Sequence, residues 1–106
     1  MRAGLLRHRL TFEIPSQTQN DFDEWVESWS TWVTVWGSIE PNLGKRYFEA
    51  KQANSEVEGL MRIRYRDGLL PTMRVKYGDR IFKIISIVQP FEKKRELHIL
   101  YKEALD

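Results

Sequence analysis

The side chains able to do chemistry are few, and their spacing argues against catalysis. His8 and His98 are the two imidazoles of the chain, so a three-imidazole metal site cannot be assembled, and their separation is not the i, i+4 spacing of a helical ligand pair. His8 shares the parity of Leu6, Leu10 and Phe12, which makes it a rim or core histidine bonded to backbone. His98 has the opposite parity to Leu97, Ile99 and Tyr101 and is expected to face solvent or a neighbour. Asp21, Asp23 and Glu24 form an acidic cluster without the glycine and distant glutamate of a twelve-residue calcium loop, so a solvated loop is expected. Gly37 and Gly44-Lys45 are too far apart for a phosphate loop, and Arg46 stands where a magnesium-binding Ser or Thr belongs. No serine occupies a G-x-S-x-G elbow. With no cysteine there is no disulfide, thiolate zinc site or cysteine nucleophile. The expectation is no catalytic residue, no metal and no cofactor; a small hydrolase would need a nucleophile or paired carboxylates that the sequence does not display.

Two features stand out instead as binding surfaces. Arg62, Arg64 and Arg66 alternate with Ile63 and Tyr65, which on an extended strand places them about 6.6 Å apart on one face. That stripe could follow a phosphate backbone or face an acidic partner, or it could be a solvated outer sheet face whose arginine stems cover apolar surface. Trp25, Trp29, Trp32 and Trp36 occupy both parities of one segment. On a regular strand they cannot all enter one core, so at least one is expected to meet another subunit, unless a bent strand turning a barrel corner buries both faces.

The elements that must carry these residues are strands. Leu6, His8, Leu10, Phe12 and Ile14 alternate with polar residues, and Pro15 is expected to end that strand, leaving 16–24 as a loop. Residues 25–39, rich in Trp, Val and Thr, read as one long bent strand or two in sequence. A turn signal at 41–44 precedes 45–54, where at most a short helix is expected. Alternation over 57–65 gives the next strand, closed by Asp67-Gly68; 73–77 and 80–89 flank Gly78-Asp79 as a tight hairpin; a charged turn over 90–95 leads to a last strand over 96–102. The expected fold is mainly all-β: a small antiparallel barrel or sandwich of six to seven strands, with one long loop containing at most a short helix. At 106 residues this is one domain, 1–106. Hydrophobic residues at 42% and charged residues at 30% exclude a disordered tail. The net charge of +2 is small for a dedicated duplex-DNA reader. Early charge at Arg2 and Arg7 argues against a signal peptide, and no apolar run approaches the roughly 18 residues that cross a bilayer, so no membrane role is expected.

In this order and spacing the residues resemble the phage head-tail joining proteins, also called head closure, head completion or stopper proteins of tailed bacteriophages and prophages. The likeness runs from the Leu6-Arg7-His8-Arg9 opening through Trp29, Trp36-Gly37-Ser38-Ile39-Glu40-Pro41, Gly44 and Ala50. It continues in Ile63-Arg64-Tyr65-Arg66-Asp67-Gly68, Met73-Arg74-Val75, Gly78, Arg80 and the apolar run 81–88. The sequence departs from the pattern at Asn20-Asp21-Phe22-Asp23, where glycines are common, at Gly37, where Ala is common, and at Lys45-Arg46, where an acidic residue is common.

The resemblance implies a structural virion protein of the head-tail connector, a small β-barrel forming a ring below the portal that closes the DNA-filled head and offers a tail attachment surface. Its partners would be copies of itself in an oligomeric ring, the portal or adaptor protein, the tail or tail-completion protein, and packaged double-stranded DNA; the isolated chain could be a monomer. It would reside in the virion at the head-tail interface, and in the bacterial host cytoplasm during assembly. Residues 41–56 match the loop that can reach the channel, which makes Lys45, Arg46 and Lys51 the DNA-facing candidates, against the alternative of an ordinary basic surface helix. Trp25, Trp29, Trp32, Trp36, Arg62, Arg64 and Arg66 become candidates for subunit or ring interfaces. The rival function is a small-barrel nucleic-acid-binding module, in which the arginine stripe and exposed aromatics hold single strands.

Overall fold

The computed structural model describes residues 6–41, 56–90 and 95–104. Six antiparallel strands carry these residues: β1 (His8–Gln19), β2 (Trp25–Glu40), β3 (Gly59–Arg64), β4 (Arg74–Tyr77), β5 (Arg80–Val88) and β6 (Glu96–Ala104). The sheet closes on itself in the order β1-β2-β3-β6-β5-β4, with β4 returning to β1 through Thr11–Glu13. The all-β barrel expectation therefore holds, at six strands, and no helix occurs among the described residues. The short helix anticipated within 45–54 and most of the charged turn over 90–95 lie outside the described residues.

Alternation fills the closed sheet. Leu10 and Phe12 of β1, Met61 and Ile63 of β3, Val75 of β4, Phe82 and Ile84 of β5, and Leu97, Ile99 and Tyr101 of β6 meet in one core cluster with Met73. Val33, Val35 and Ile39 of β2 close it from the remaining side. Phe82 and Tyr101 pack edge to face with centroids 5.0 Å apart, a geometry that suits the aromatic quadrupoles. Gly78 takes φ +60° at the first central position of the β4–β5 turn, where a Cβ would be strained and where tight hairpins favour glycine.

The β1–β2 hairpin departs from expectation. Pro15 does not end β1; the strand runs to Gln19 and the turn shrinks to residues 20–24. The physical reason is the end of the β1–β4 pairing at Glu13. Beyond it β1 has a free edge, where a missing N–H leaves no ladder partner unsatisfied. The two strands continue as a two-stranded arm, with six further paired positions from Ile14↔Ser30 to Gln19↔Trp25, a reach of about 20 Å at strand rise. Its turn is held by Asn20, whose Oδ1 accepts from the amides of Phe22 (2.8 Å) and Glu24 (3.0 Å). Asp23 takes a left-handed φ of +61°, a conformation that Asp tolerates better than most residues.

Residues 25–39 prove to be one strand with a bulge, not two strands. Phe12 pairs with Val33 but Glu13 pairs with Thr31, so Trp32 is the extra residue on β2. An inserted residue reverses the parity of everything beyond it.

Candidate functional site

That reversal decides where the tryptophans go. Paired residues share a face, so Trp36 opposite Arg9, Trp29 opposite Pro15 and Trp25 opposite Gln19 all lie on the outer face, while Trp32 at the bulge packs against the core. The four rings are thus one core residue and a row of three outward ones. Trp25 is 66% exposed and Trp36 52%, and Trp29 is half-buried. With Phe22, 82% exposed at the tip, and the exposed Val26, they make the arm and the wall beside it the most apolar exposed surface among the described residues.

The base of the arm is braced. Arg74 Nε donates to Glu13 Oε1 at 2.7 Å, and the same guanidinium lies 4.3 Å from the Trp29 ring centroid. Glu13 is buried to 9% exposure here, and Arg74 is the cation that compensates its carboxylate. Thr11 Oγ1 and Thr34 Oγ1 share a hydrogen bond of 3.1 Å one row further along the wall. In the following row the Arg9 guanidinium carbon stands 4.9 Å from the Trp36 ring centroid.

The arginine stripe is less regular than its spacing. Arg62 and Arg64 lie on β3, but the strand ends at Arg64 and Arg66 falls beyond it. Arg62 is engaged by Glu40 at 2.8 Å, a charge contact whose Nε–H is not aimed at the carboxylate, and Ser38 Oγ donates to the same Glu40 oxygen at 2.9 Å. Arg64 is exposed and forms no ion pair with the described residues. One exposed strand arginine remains where the spacing indicated three.

Both histidines differ from expectation. His8 Nδ1 is bonded to the Tyr77 hydroxyl at 2.9 Å, with the rings edge to face, so its partner is a side chain and not backbone. His98 does not face solvent: it is 2% exposed and its Nε2 lies 2.7 Å from Glu96 Oε1. The cause is a second apolar cluster, Val57, Leu60 and Leu100 with Ile85 and Val88, which buries β6 on its other face as well. Alternation alone could not reveal a strand covered on both sides; the nearly continuous apolar run of β5 was the available signal.

Nothing else among the described residues assembles chemistry. No group of three or more metal-ligating side chains converges. Surface depressions lie against Pro15, Ser16, Gln17 and Glu27, where the Ser16 hydroxyl is bonded to that of Ser28, and against Glu56, Lys83, Lys102, Glu103 and Ala104, where Lys102 is ion-paired with Glu56 at 3.5 Å. The perturbed groups are structural. Arg80 holds the Glu103 carboxyl below its ordinary range through two hydrogen bonds of 2.8 and 3.0 Å. Burial pushes the Tyr101 phenol up, and a hydrogen bond to Asp67 raises that of Tyr65. Lys45, Arg46 and Lys51 lie outside the described residues.

Fold and surface together define a small β-barrel with an arm that exposes aromatic side chains, a cation-flanked tryptophan and, among the described residues, no assembled metal-ligand group. The family model for phage head completion proteins matches residues 1–104, and the chain belongs to that family. Its role is structural, in completing the phage head, and its place is the virion among other head or tail proteins. Protein SF1141 from Shigella flexneri 2a is 30% identical and superposes with a TM-score of 0.72 over 97% of this chain and 96% of that one. A chain of the native gene transfer agent virion shares the fold at 16% identity, with a TM-score of 0.62 over 95% of this chain and 97% of that one. No curated protein matches the sequence.

Proposed function

We propose that the protein forms a ring below the portal that closes the DNA-filled head and provides the surface on which the tail attaches. The observation that carries this reading is the apolar arm and tryptophan row displayed by a chain of the head completion family. A monomer gains nothing by exposing Phe22, Trp25 and Trp36, whereas a subunit of an assembly buries such residues at interface centres. The portal or adaptor protein contacts one rim of the ring and the tail or tail-completion protein the other, and assembly takes place in the host cytoplasm. Trp25, Trp29, Trp36 and Arg64 serve the contacts between subunits or rings, and no enzymatic step is required of any residue.

The segment between β2 and β3 carries Lys45, Arg46 and Lys51, and we assign it to the channel, where these side chains neutralise phosphates of the packaged DNA. Phosphate contacts weaken with salt, each contributing a slope of about −0.9 in log K against log salt. The resemblance of the wall arginines to a nucleic-acid-binding stripe has less support, because Arg62 is committed to Glu40 and Arg66 lies off the strand. The test uses DNA-filled, tailless heads of the parent phage. Adding the protein is expected to lower DNA leakage and restore tail joining, and Lys45→Glu/Arg46→Glu/Lys51→Glu is expected to join tails while retaining DNA less well as salt rises. Heads that leak and remain tailless with the folded protein present contradict the reading.

A further inference from the structure

We propose that the tip of the β1–β2 arm of one copy docks on the outer barrel wall of the next copy, at the surface formed by Arg9, Trp36 and Arg64. The donor is an acidic and aromatic tip. Residues 15–30 contain Asp21, Asp23, Glu24 and Glu27 and no base, a charge of −4. Since the whole chain carries +2, the rest carries +6. Arm and body are therefore oppositely charged, which favours an arm-to-body contact between copies and opposes arm-to-arm pairing.

The acceptor follows from register. Arg9 pairs with Trp36 across β1 and β2, and Gly37 pairs with Ile63 across β2 and β3, so the next position opposite Trp36 is Arg64. An exposed indole thus has an exposed guanidinium on each side along one row of the wall. Glu96, opposite Arg64 on the far side, is buried against His98. Such a row can receive a carboxylate on either arginine and an aromatic ring on the indole. The tip supplies both kinds of group: Phe22 and Trp25 stand beside Asp21, Asp23 and Glu24.

The arm is suited to reach another molecule and not its own wall. It continues the line of β1 and β2 for about 20 Å beyond the bulge, in keeping with a long dimension of 50 Å against 29 and 25 Å. Its turn is fixed in shape by Asn20, so docking orders few new torsions. Because donor and acceptor are different patches, the contact is heterologous, and repeated with a closing rotation it makes a ring. It rests on the ring reading only for its place in the virion; the contact itself is a property of the free chain.

The test is nuclear magnetic resonance on two variants of the full chain. One lacks the tip groups, Phe22→Ser/Trp25→Ser; the other lacks the wall charges, Arg9→Glu/Arg64→Glu. All four sites are exposed, so each variant should keep a dispersed, folded spectrum. Mixed at about millimolar concentration, the two can make one contact and no more. With the tip-deficient chain labelled, shifts are expected at and around Arg9, Trp36 and Arg64. With the wall-deficient chain labelled, they are expected at residues 20–27. Each variant alone should self-associate at least tenfold more weakly than the unaltered chain. No shift in either mixture, or shifts at the same patch on both chains, overturns the proposal. No capsid is involved, so failure of ring formation at the portal and failure of this contact are separate results.

Discussion

Replacing Arg74 with Met removes the brace at the base of the arm while retaining most of the side-chain stem. The guanidinium makes one charge-assisted hydrogen bond to Glu13, of a kind that contributes about 1.5–3 kcal/mol. Its position over Trp29 adds about 0.5–1 kcal/mol. The Arg74 side chain is 28% exposed and that of Glu13 12%, so solvent screens the pair in part and the lower half of the range applies, about 2–3 kcal/mol in all. With a urea m-value of about 1–3 kcal/mol per molar for a small domain, the unfolding midpoint should fall by roughly 0.7–3 M. Much of that loss comes from leaving the Glu13 carboxylate buried without its cation. Glu13→Gln in the same chain should therefore recover about 1–2 kcal/mol relative to the sum of the single losses. Urea unfolding followed by tryptophan fluorescence and far-ultraviolet dichroism measures all three variants. A cost below about 0.5 kcal/mol for Arg74→Met, or strict additivity with Glu13→Gln, would refute the assignment of the pair as a brace.

Other perturbations probe the closed sheet. A Cβ at Gly37 would stand 2.6 Å from Leu10 Cδ1 and 2.9 Å from the Arg62 carbonyl oxygen, so Gly37→Ala should cost about 1–3 kcal/mol in the same urea assay. His98→Ala removes the imidazole from Glu96 and opens a cavity beside the second apolar cluster, and should cost about 2–4 kcal/mol; a neutral outcome would place the pair outside the folding energetics. Acid stability should depend on Glu103. Its folded-state pKa lies below the ordinary 4.5, so the stabilisation is present above that pH and is lost as pH falls through the lowered value. Glu103→Gln should remove that part of the acid transition by lowering stability at neutral pH to the same small extent, since solvent screens the pair in part, so that the two chains converge in acid.

Much of the barrel was legible because alternation and turn chemistry agree. The Gly78-Asp79 turn, the buried parity of Leu10 and Phe12, and the strand over Gly59–Arg64 follow from local rules. The arm was not legible, since Pro15 forbids a ladder donor and only the tertiary fact that β4 stops at Glu13 makes the omission harmless. The tryptophan row depended on one inserted residue, Trp32, and a bulge in a strand of β-formers leaves no composition signal. His98 was misjudged because sequence parity gives the face of a strand, not what covers that face. The arginine stripe was half legible: the spacing placed Arg62 and Arg64 correctly, but Glu40 arrives from a neighbouring strand and neutralises the first of them.

A ring of this chain at the portal vertex would be visible by electron microscopy of DNA-filled, tailless heads of the parent phage, imaged before and after addition of the purified protein. New ring-shaped density is expected below the portal, into whose subunits the six-stranded barrel fits with each arm lying against the adjacent wall. An unchanged portal vertex, on heads whose other connector components are intact, would contradict the proposed ring.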